Sequence, residues 1–345
     1  MIDSISDGVL PDNLLHALAK QGAISAPTTF CDTQFQPASL DLRLGDYAYR
    51  IRASFLPGAG RSVAQRLDES DLVLHKLNLR DGGVLETGCV YLVPLQESLA
   101  LPELVNALAN PKSSTGRIDV FVRVITDGAT SFDRVRAGYH GPLWVEICPR
   151  TFSILVRPGD RLTQLRLKKG ITPTLERHDL NLDLSHASLG PIIGYRARRH
   201  APLLDLAKIG KHAPRDWFEP LTAHHGTLVL DPGEFYILAS QPGLSIPEDI
   251  AAEMVATAED LGEFRAHYAG FFDPGFGAKR GNDRGARGVL EVRGRDVPFV
   301  LEHNQPVARL IYEPLSAPPD AFYGENGSHY QGQGLKLSKL FEAWS

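Results

Sequence analysis

Four short matches in one register dominate this chain. TGCVYLV around Gly88 is matched by PGEFYIL around Gly233, LALPELV around Pro102 by LSIPEDI around Pro247, WVEI around Glu146 by VLEV around Glu291, and TQLRL at Leu165 by ARLIY at Leu310. The members of each pair are 145 residues apart. Generic strand patterns produce isolated matches and would not hold one offset over such a length. The period is also far longer than the roughly 20–50 residues of stacked repeat arrays, so the expectation is a duplication of whole domains. The expected halves are residues 1–185 and 186–345, divided where KKGITPTLERHDLNLDLSHASLGP turns polar and rich in turn residues.

Each half reads as short apolar, β-branched or aromatic runs, such as VYLVPL, WVEIC, FYILAS and FVLEHN, punctuated by turns such as PGD at 158–160 and DPG at 231–233. Two short helices are expected, over residues 10–20 with Asp12 or Asn13 as N-cap and over residues 246–258 with Pro247 in the first turn. The fold class is therefore expected to be dominated by β-structure, as two barrel-like repeats with a few short helices.

A chain of 345 residues can build two domains with full cores. The formal net charge of -5 argues against broad binding to nucleic acid polymers or membranes, but leaves room for an anion in a local basic pocket. The start, MIDSISDGVLPDN, has no apolar core, and no apolar run reaches transmembrane length, so a cytoplasmic location is the expectation. Cys31, Cys89 and Cys148 are far apart, and neither the H-x-E nor the P-C-x-x-C signature of zinc deaminases occurs, so no zinc site is expected.

Three segments of the first half carry candidate chemistry. In Gln36–Gly45, Leu40, Leu42 and Leu44 alternate toward the core, leaving Asp41 and Arg43 opposite them as an ion pair on the other face. In Pro111–Arg117, two cations, three hydroxyls and a glycine within seven residues suit an oxyanion, although an ordinary polar turn fits as well; the Walker A spacing is absent. In Trp144–Cys148, Glu146 sits in a strand of bulky apolar residues, where burial would raise its pKa into the range useful for proton transfer. A solvated glutamate on a half-buried strand is the plainer reading, and the recurrence at Glu291 weakens it.

Together these segments resemble the dCTP deaminase family of the dCTP deaminase/dUTPase superfamily. QPASLDLRLG resembles its N-terminal strand, PKSSTGR its phosphate loop, and Gly138–Leu167 the segment that carries the catalytic glutamate and a following Pro-Gly turn. In the second half, AGFFDPGFG at 269–277 resembles the DPG segment, and Tyr323 with His329-Tyr330-Gln331-Gly332-Gln333 resembles the tail that closes over the nucleotide. Lys112 replaces the usual arginine, His329 the usual lysine, and the DPG segment of the first half is degraded to Asp133–Gly138. At the 145-residue offset, the second half has Thr257–Gly262 in place of a phosphate loop, and Glu259 and Asp260 there would repel a triphosphate.

The resemblance implies dUTPase-like distorted β-barrels and metal-free hydrolytic deamination of dCTP to dUTP. It implies Glu146 as the base, Ser113 orienting the water and Arg117 beside the reacting ring. Lys112 and Ser114 would hold phosphate, Asp133 the sugar, and Trp144 and Val145 would line the substrate. Tyr323, His329 and Gln333 would close over it, with Asp273 and Glu291 as possible second-half counterparts. Mg²⁺ would come with the triphosphate and need no protein cage. The partner expected is a second and third copy of the chain, a trimer of two-repeat chains with one competent site each. A dUTPase, a bifunctional enzyme giving dUMP, and a non-catalytic nucleotide-binding regulator are the alternatives.

Overall fold

The structure, a computed structural model, describes residues 4–69, 71–223, 225–256, 264–267, 270–278, 285–325 and 330–344. It is all-β in character, with α-helices only at Asp12–Lys20, Val63–Asp68, Ser113–Gly116 and His186–Leu189 among those residues. One strand order occurs twice. Val120–Thr126, His140–Pro149, Val90–Ala100, Tyr47–Ile51 and Val73–Asn78 lie side by side in one sheet; Phe264–His267, Val289–Gly294, Phe235–Ala239, Gly194–Ala197 and Phe218–Leu221 lie in the same order in another. A second pair of sheets runs Arg134–Val135, Val105–Pro111, Thr163–Lys169, Ser39–Leu42 and Phe271–Phe272, Ile250–Ala256, Pro306–Pro314, Glu176–Asn181.

Side-chain alternation decides how the halves meet. In Phe235–Ala239, Tyr236 and Leu238 face a core of the second half, together with Leu290 and Val292. Phe235, Ile237 and Val289 point the other way and join the core of the first half, with Val93, Val145 and Ile147. A period of two on strands with both faces apolar is what lets one sheet serve two cores. The first half's own sheet meets something else on its outer face: Ile51, Leu92, Ile125 and Trp144 are covered by Phe55, Leu56, Val63 and Leu67.

Three sequence expectations are corrected here. The helix expected over residues 246–258 does not form among the described residues; Ile250–Ala256 is a strand, registered on Pro306–Pro314 along one edge and on Phe271–Phe272 along the other. Its alanines favour helix, but a strand paired on both edges satisfies its backbone in the sheet, and this outweighs intrinsic propensity. The first helix does form, at Asp12–Lys20, yet its N-cap is Pro11 with no side-chain cap. Asp12 instead accepts hydrogen bonds from the backbone N–H groups of Asp320 (2.9 Å) and Ala321 (3.1 Å), tying the helix to the far end of the chain. Asp41 and Arg43 do not pair with each other: Arg43 donates to Glu97 at 2.7 Å, while Asp41 binds Lys112 and, at 3.4 Å, Arg161.

The polar stretch after Lys169 is not all linker. Glu176–Asn181 pairs with Pro306–Pro314, so the second set of sheets begins ahead of residue 186. No helix among the described residues is long and apolar enough to cross a membrane.

Candidate active site

A cavity of about 480 Å³ lies where the first half's Pro111–Arg117 segment meets the second half's sheet. Lys112, Ser113, Ser114 and Arg117 line it from the first half; Asp273, Glu291, Tyr323 and Gln333 line it from the second. Thus eight of the residues singled out from the sequence converge, Arg117 and Gln333 among them from segments 216 residues apart.

The loop is fixed by backbone bonds. Lys112 N–H donates to Leu162 (3.0 Å), and Ser113–Gly116 makes a single helical turn closed by Arg117 N–H to the Ser113 carbonyl at 3.1 Å. This turn places Arg117, which is 2 % exposed, inside the junction. Its guanidinium donates to the Lys336 carbonyl and to Gln333 Oε1, both at 2.9 Å, and stands 4.0 Å from the centre of the Tyr330 ring. Gln333 in turn donates to the Arg287 carbonyl at 3.0 Å, and Ser338 Oγ donates to the Ser114 carbonyl at 2.9 Å. The tail is therefore packed over the loop.

Glu291 faces the same space, on the strand face opposite Leu290 and Val292. Arg117 Nε is 4.0 Å from Glu291 Oε1, and both side chains are almost fully buried. Burial pushes the Glu291 carboxyl up to about 8, against the pull of Arg117 and with help from the nearby Asp119 carboxylate. Gly116 sits so close that a Cβ there would lie 2.9 Å from the Glu291 carboxyl carbon. Gly116→Ala should therefore push Glu291 out of place and lower kcat by roughly 100-fold, the scale of an ångström of misplacement, with nucleotide affinity changed far less. Equal losses in kcat and in affinity would sink that steric account.

Asp273, buried beneath the cavity, is held at 3.3 Å by Arg166, a fully buried side chain from the first half. Burial raises the Asp273 pKa, and Arg166 opposes this. The sequence had not singled out Arg166 or Lys339, and had marked Asp41, Phe271 and Tyr330 only as members of longer segments. The Asp41 pairing with Lys112 could be foreseen only as opposite charges, because the two are 71 residues apart.

Glu146 is elsewhere, a correction to its expected place beside Ser113. It is buried against Arg123, the residue opposite it on the neighbouring strand, whose guanidinium donates to it at 2.6 and 3.1 Å. Arg123 is held in turn by Ser54 (2.8 Å) and lies 3.5 Å from the Phe132 ring centre. Asp133 accepts the Val124 backbone N–H at 2.7 Å, and burial lifts its pKa to about 7. Trp144 lies in the outer cluster and Val145 in the first core. None of these four lines the cavity, because Phe55, Leu56, Val63 and Leu67 cover that strand face, whereas the Pro111–Arg117 segment meets the corresponding face in the second half. His329, Glu259 and Asp260 lie outside the described residues.

Comparisons with known proteins bear on the family of the chain. The family model for the 2'-deoxycytidine 5'-triphosphate deaminase N-terminal domain matches residues 6–171, and that for its C-terminal domain matches residues 160–341. A crystal structure of 2'-deoxycytidine 5'-triphosphate deaminase from Agrobacterium tumefaciens superposes with a TM-score of 0.86 at 47% identity, covering 90% of this chain and 99% of that one. Among curated relatives, a dUMP-forming dCTP deaminase from Beutenbergia cavernae is 32% identical over 110 residues, which is 30% of this chain and 53% of the relative. A dCTP deaminase from Haloarcula marismortui is 27% identical over 164 residues, 47% of this chain and 80% of the relative. The chain thus spans about half the length of the first of these relatives and four-fifths of the second. With both family models matched in order and a solved relative covered from end to end, the chain belongs to the 2'-deoxycytidine 5'-triphosphate deaminase family.

Proposed function

We propose that this cavity hydrolyses the exocyclic amine of dCTP, giving dUTP and ammonia, with Glu291 in the role the sequence had offered to Glu146. The observation that carries this reading is a buried glutamate with a raised pKa 4.0 Å from Arg117, in a cavity that also presents Lys112, Ser113 and Ser114. In this reading Ser113 and Glu291 hold the attacking water, and Glu291 takes its proton and returns it to N3 and then to the departing ammonia. A carboxyl near 8 both accepts and gives up a proton close to neutrality. Lys112 and Ser114 neutralise and hold phosphate, Asp273 is the sugar contact, and Tyr323 and Gln333 keep the tail closed.

Zinc takes no part in this proposal; its support is the lack of zinc-deaminase signatures in the sequence. Among the described residues there is no group of three or more His, Cys, Asp or Glu placed to hold a metal. Magnesium belongs here to the substrate, as Mg²⁺-dCTP. Activity is expected to survive 1,10-phenanthroline; loss that zinc restores and magnesium does not would overturn the zinc-free step.

The direct test is incubation with Mg²⁺-dCTP and chromatography of the product. dUTP is expected. A second reading, dUMP with pyrophosphate, is favoured by the likeness to the dUMP-forming dCTP deaminase of Beutenbergia cavernae, and the same chromatogram separates the two. Formation of neither product sinks both. The pH dependence has a fixed sign. Below about 8 the free Glu291 carboxyl gains a proton and can no longer act as a base, so kcat/KM should rise with pH along an acid limb centred near 8. A limb centred near 4.5 would show that the carboxyl acting as base is not raised by burial. The proposal also takes the chain as a trimer with one site per chain, so sedimentation should report three chains and calorimetry one nucleotide per chain.

A further inference from the structure

The junction contains a buried ion pair that the proposed chemistry does not use. Asp119, two residues beyond Arg117, is fully buried and has the left-handed backbone angle φ +54°. Arg293, two residues beyond Glu291, lies on the same strand face, since alternate residues of a strand share a side. The Arg293 guanidinium binds Asp119 and also donates to Thr151 Oγ1 at 2.7 Å, and Thr151 Oγ1 donates to Asp119 at 2.5 Å. The other arm of Arg293 binds the Gly233 carbonyl, in the turn before the neighbouring strand. Asp119 is anchored by its backbone too: its N–H donates to the Gly116 carbonyl and its carbonyl accepts from Arg150 N–H, both at 2.9 Å.

We propose that Asp119 and Arg293 are positioning residues: their ion pair pins the loop that carries Ser113 and Arg117 against the strand that carries Glu291. The two contacts are parallel. Arg117 faces Glu291, and two residues further along each segment Asp119 grips Arg293. The Arg117–Glu291 contact is loose at 4.0 Å, and Arg117 Nε has no hydrogen-bond partner among the described residues, so the register rests on the outer pair.

The pair also sets the charge around Glu291. The groups that face it are Arg117 and Asp119 from the loop, Tyr330 from the tail and Arg293 on its own strand; the flanking strands place Ile237 and His267 opposite it in register. Asp119 is a like charge and favours the protonated form of Glu291. Its removal must lower the Glu291 pKa, whereas a merely structural pair would leave the titration where it is.

The kinetic arm rests on the proposed function; the titration arm does not. The Glu291 carboxyl is followed by ¹³C NMR in the nucleotide-free chain, its signal assigned by its loss in Glu291→Gln. Asp119→Asn, which tolerates the same backbone angle, is expected to move the Glu291 midpoint down by roughly one unit. It should lower kcat by roughly 10- to 100-fold, with KM for dCTP changed only a few-fold. Arg293→Lys, which keeps the charge and loses one arm of the fork, should recover most of kcat, and Arg293→Met should not. If Asp119→Asn is poorly folded, Asp119→Gly, which suits the same backbone angle and leaves the Arg293 cation in place, should show the same lowered midpoint. An unchanged midpoint in whichever of the two folds overturns the proposal. Full turnover by Glu291→Gln overturns the functional reading instead, and the carboxyl titration still decides on the pair.

Discussion

Glu291→Gln should lower dCTP turnover by roughly 10³-fold, within the range a positioned general base contributes, while calorimetric binding of dCTP stays within a few-fold of wild type. The substitution keeps the shape of the side chain and removes only its ability to accept a proton. Glu146→Gln is the informative partner. Its carboxylate is occupied by Arg123 under the cover of residues 55–67, away from Ser113 and Arg117, so turnover should remain within a few-fold of wild type. A Glu146→Gln variant as inactive as Glu291→Gln would show that the cavity at the junction is not where the chemistry happens.

The second large effect is on stability. Arg166→Met removes a fully buried guanidinium that donates to the Ala38, Ala252 and Phe272 carbonyls at 3.3, 2.9 and 3.2 Å and to Asp273 at 3.3 Å. Ala38 belongs to the first half and the other three acceptors to the second, so this side chain joins the halves as well as holding Asp273. Methionine nearly matches the stem but removes these four hydrogen bonds and takes the guanidinium away from the buried Asp273 carboxyl. Breaking a buried charged pair in this way typically costs about 3–5 kcal/mol, and for a chain of this size that is a fall in Tm on the order of 10 °C. Differential scanning calorimetry measures it directly. A Tm within about 2 °C of wild type would mean that the junction relaxes around the loss and that Arg166 does not bind the halves together.

The sequence made the fold legible because strand formation leaves a local trace. Turns such as DPG at 231–233, with Gly233 at φ +72°, punctuate runs of β-branched and aromatic residues, and the 145-residue offset carries one strand order into both halves. It misled at Ile250–Ala256, where alanines speak for helix and pairing on both edges decides for strand. The site was half legible. Ser113, Arg117, Asp273 and Gln333 could be picked out by motif, but WVEI and VLEV look alike along the chain. What separates Glu146 from Glu291 is the partner that covers each strand face: Phe55 to Leu67 with Arg123 in one case, the phosphate loop in the other. That choice is made by contacts between segments far apart in the chain, and no local pattern encodes it. Asp119 and Arg293 were invisible for the same reason, being 174 residues apart.

Ser113 and Arg117 on one half and Glu291 on the other belong to a single covalent chain, which bears on how the enzyme responds to dilution. When two binding partners are tethered, their encounter is intramolecular, and a short connection holds each at an effective concentration on the order of millimolar. A catalytic centre divided between separate chains comes apart as the protein is diluted below its assembly constant; one divided between two halves of the same chain does not. Specific activity should therefore stay flat down to nanomolar enzyme, even where sedimentation shows that the chains have separated from one another.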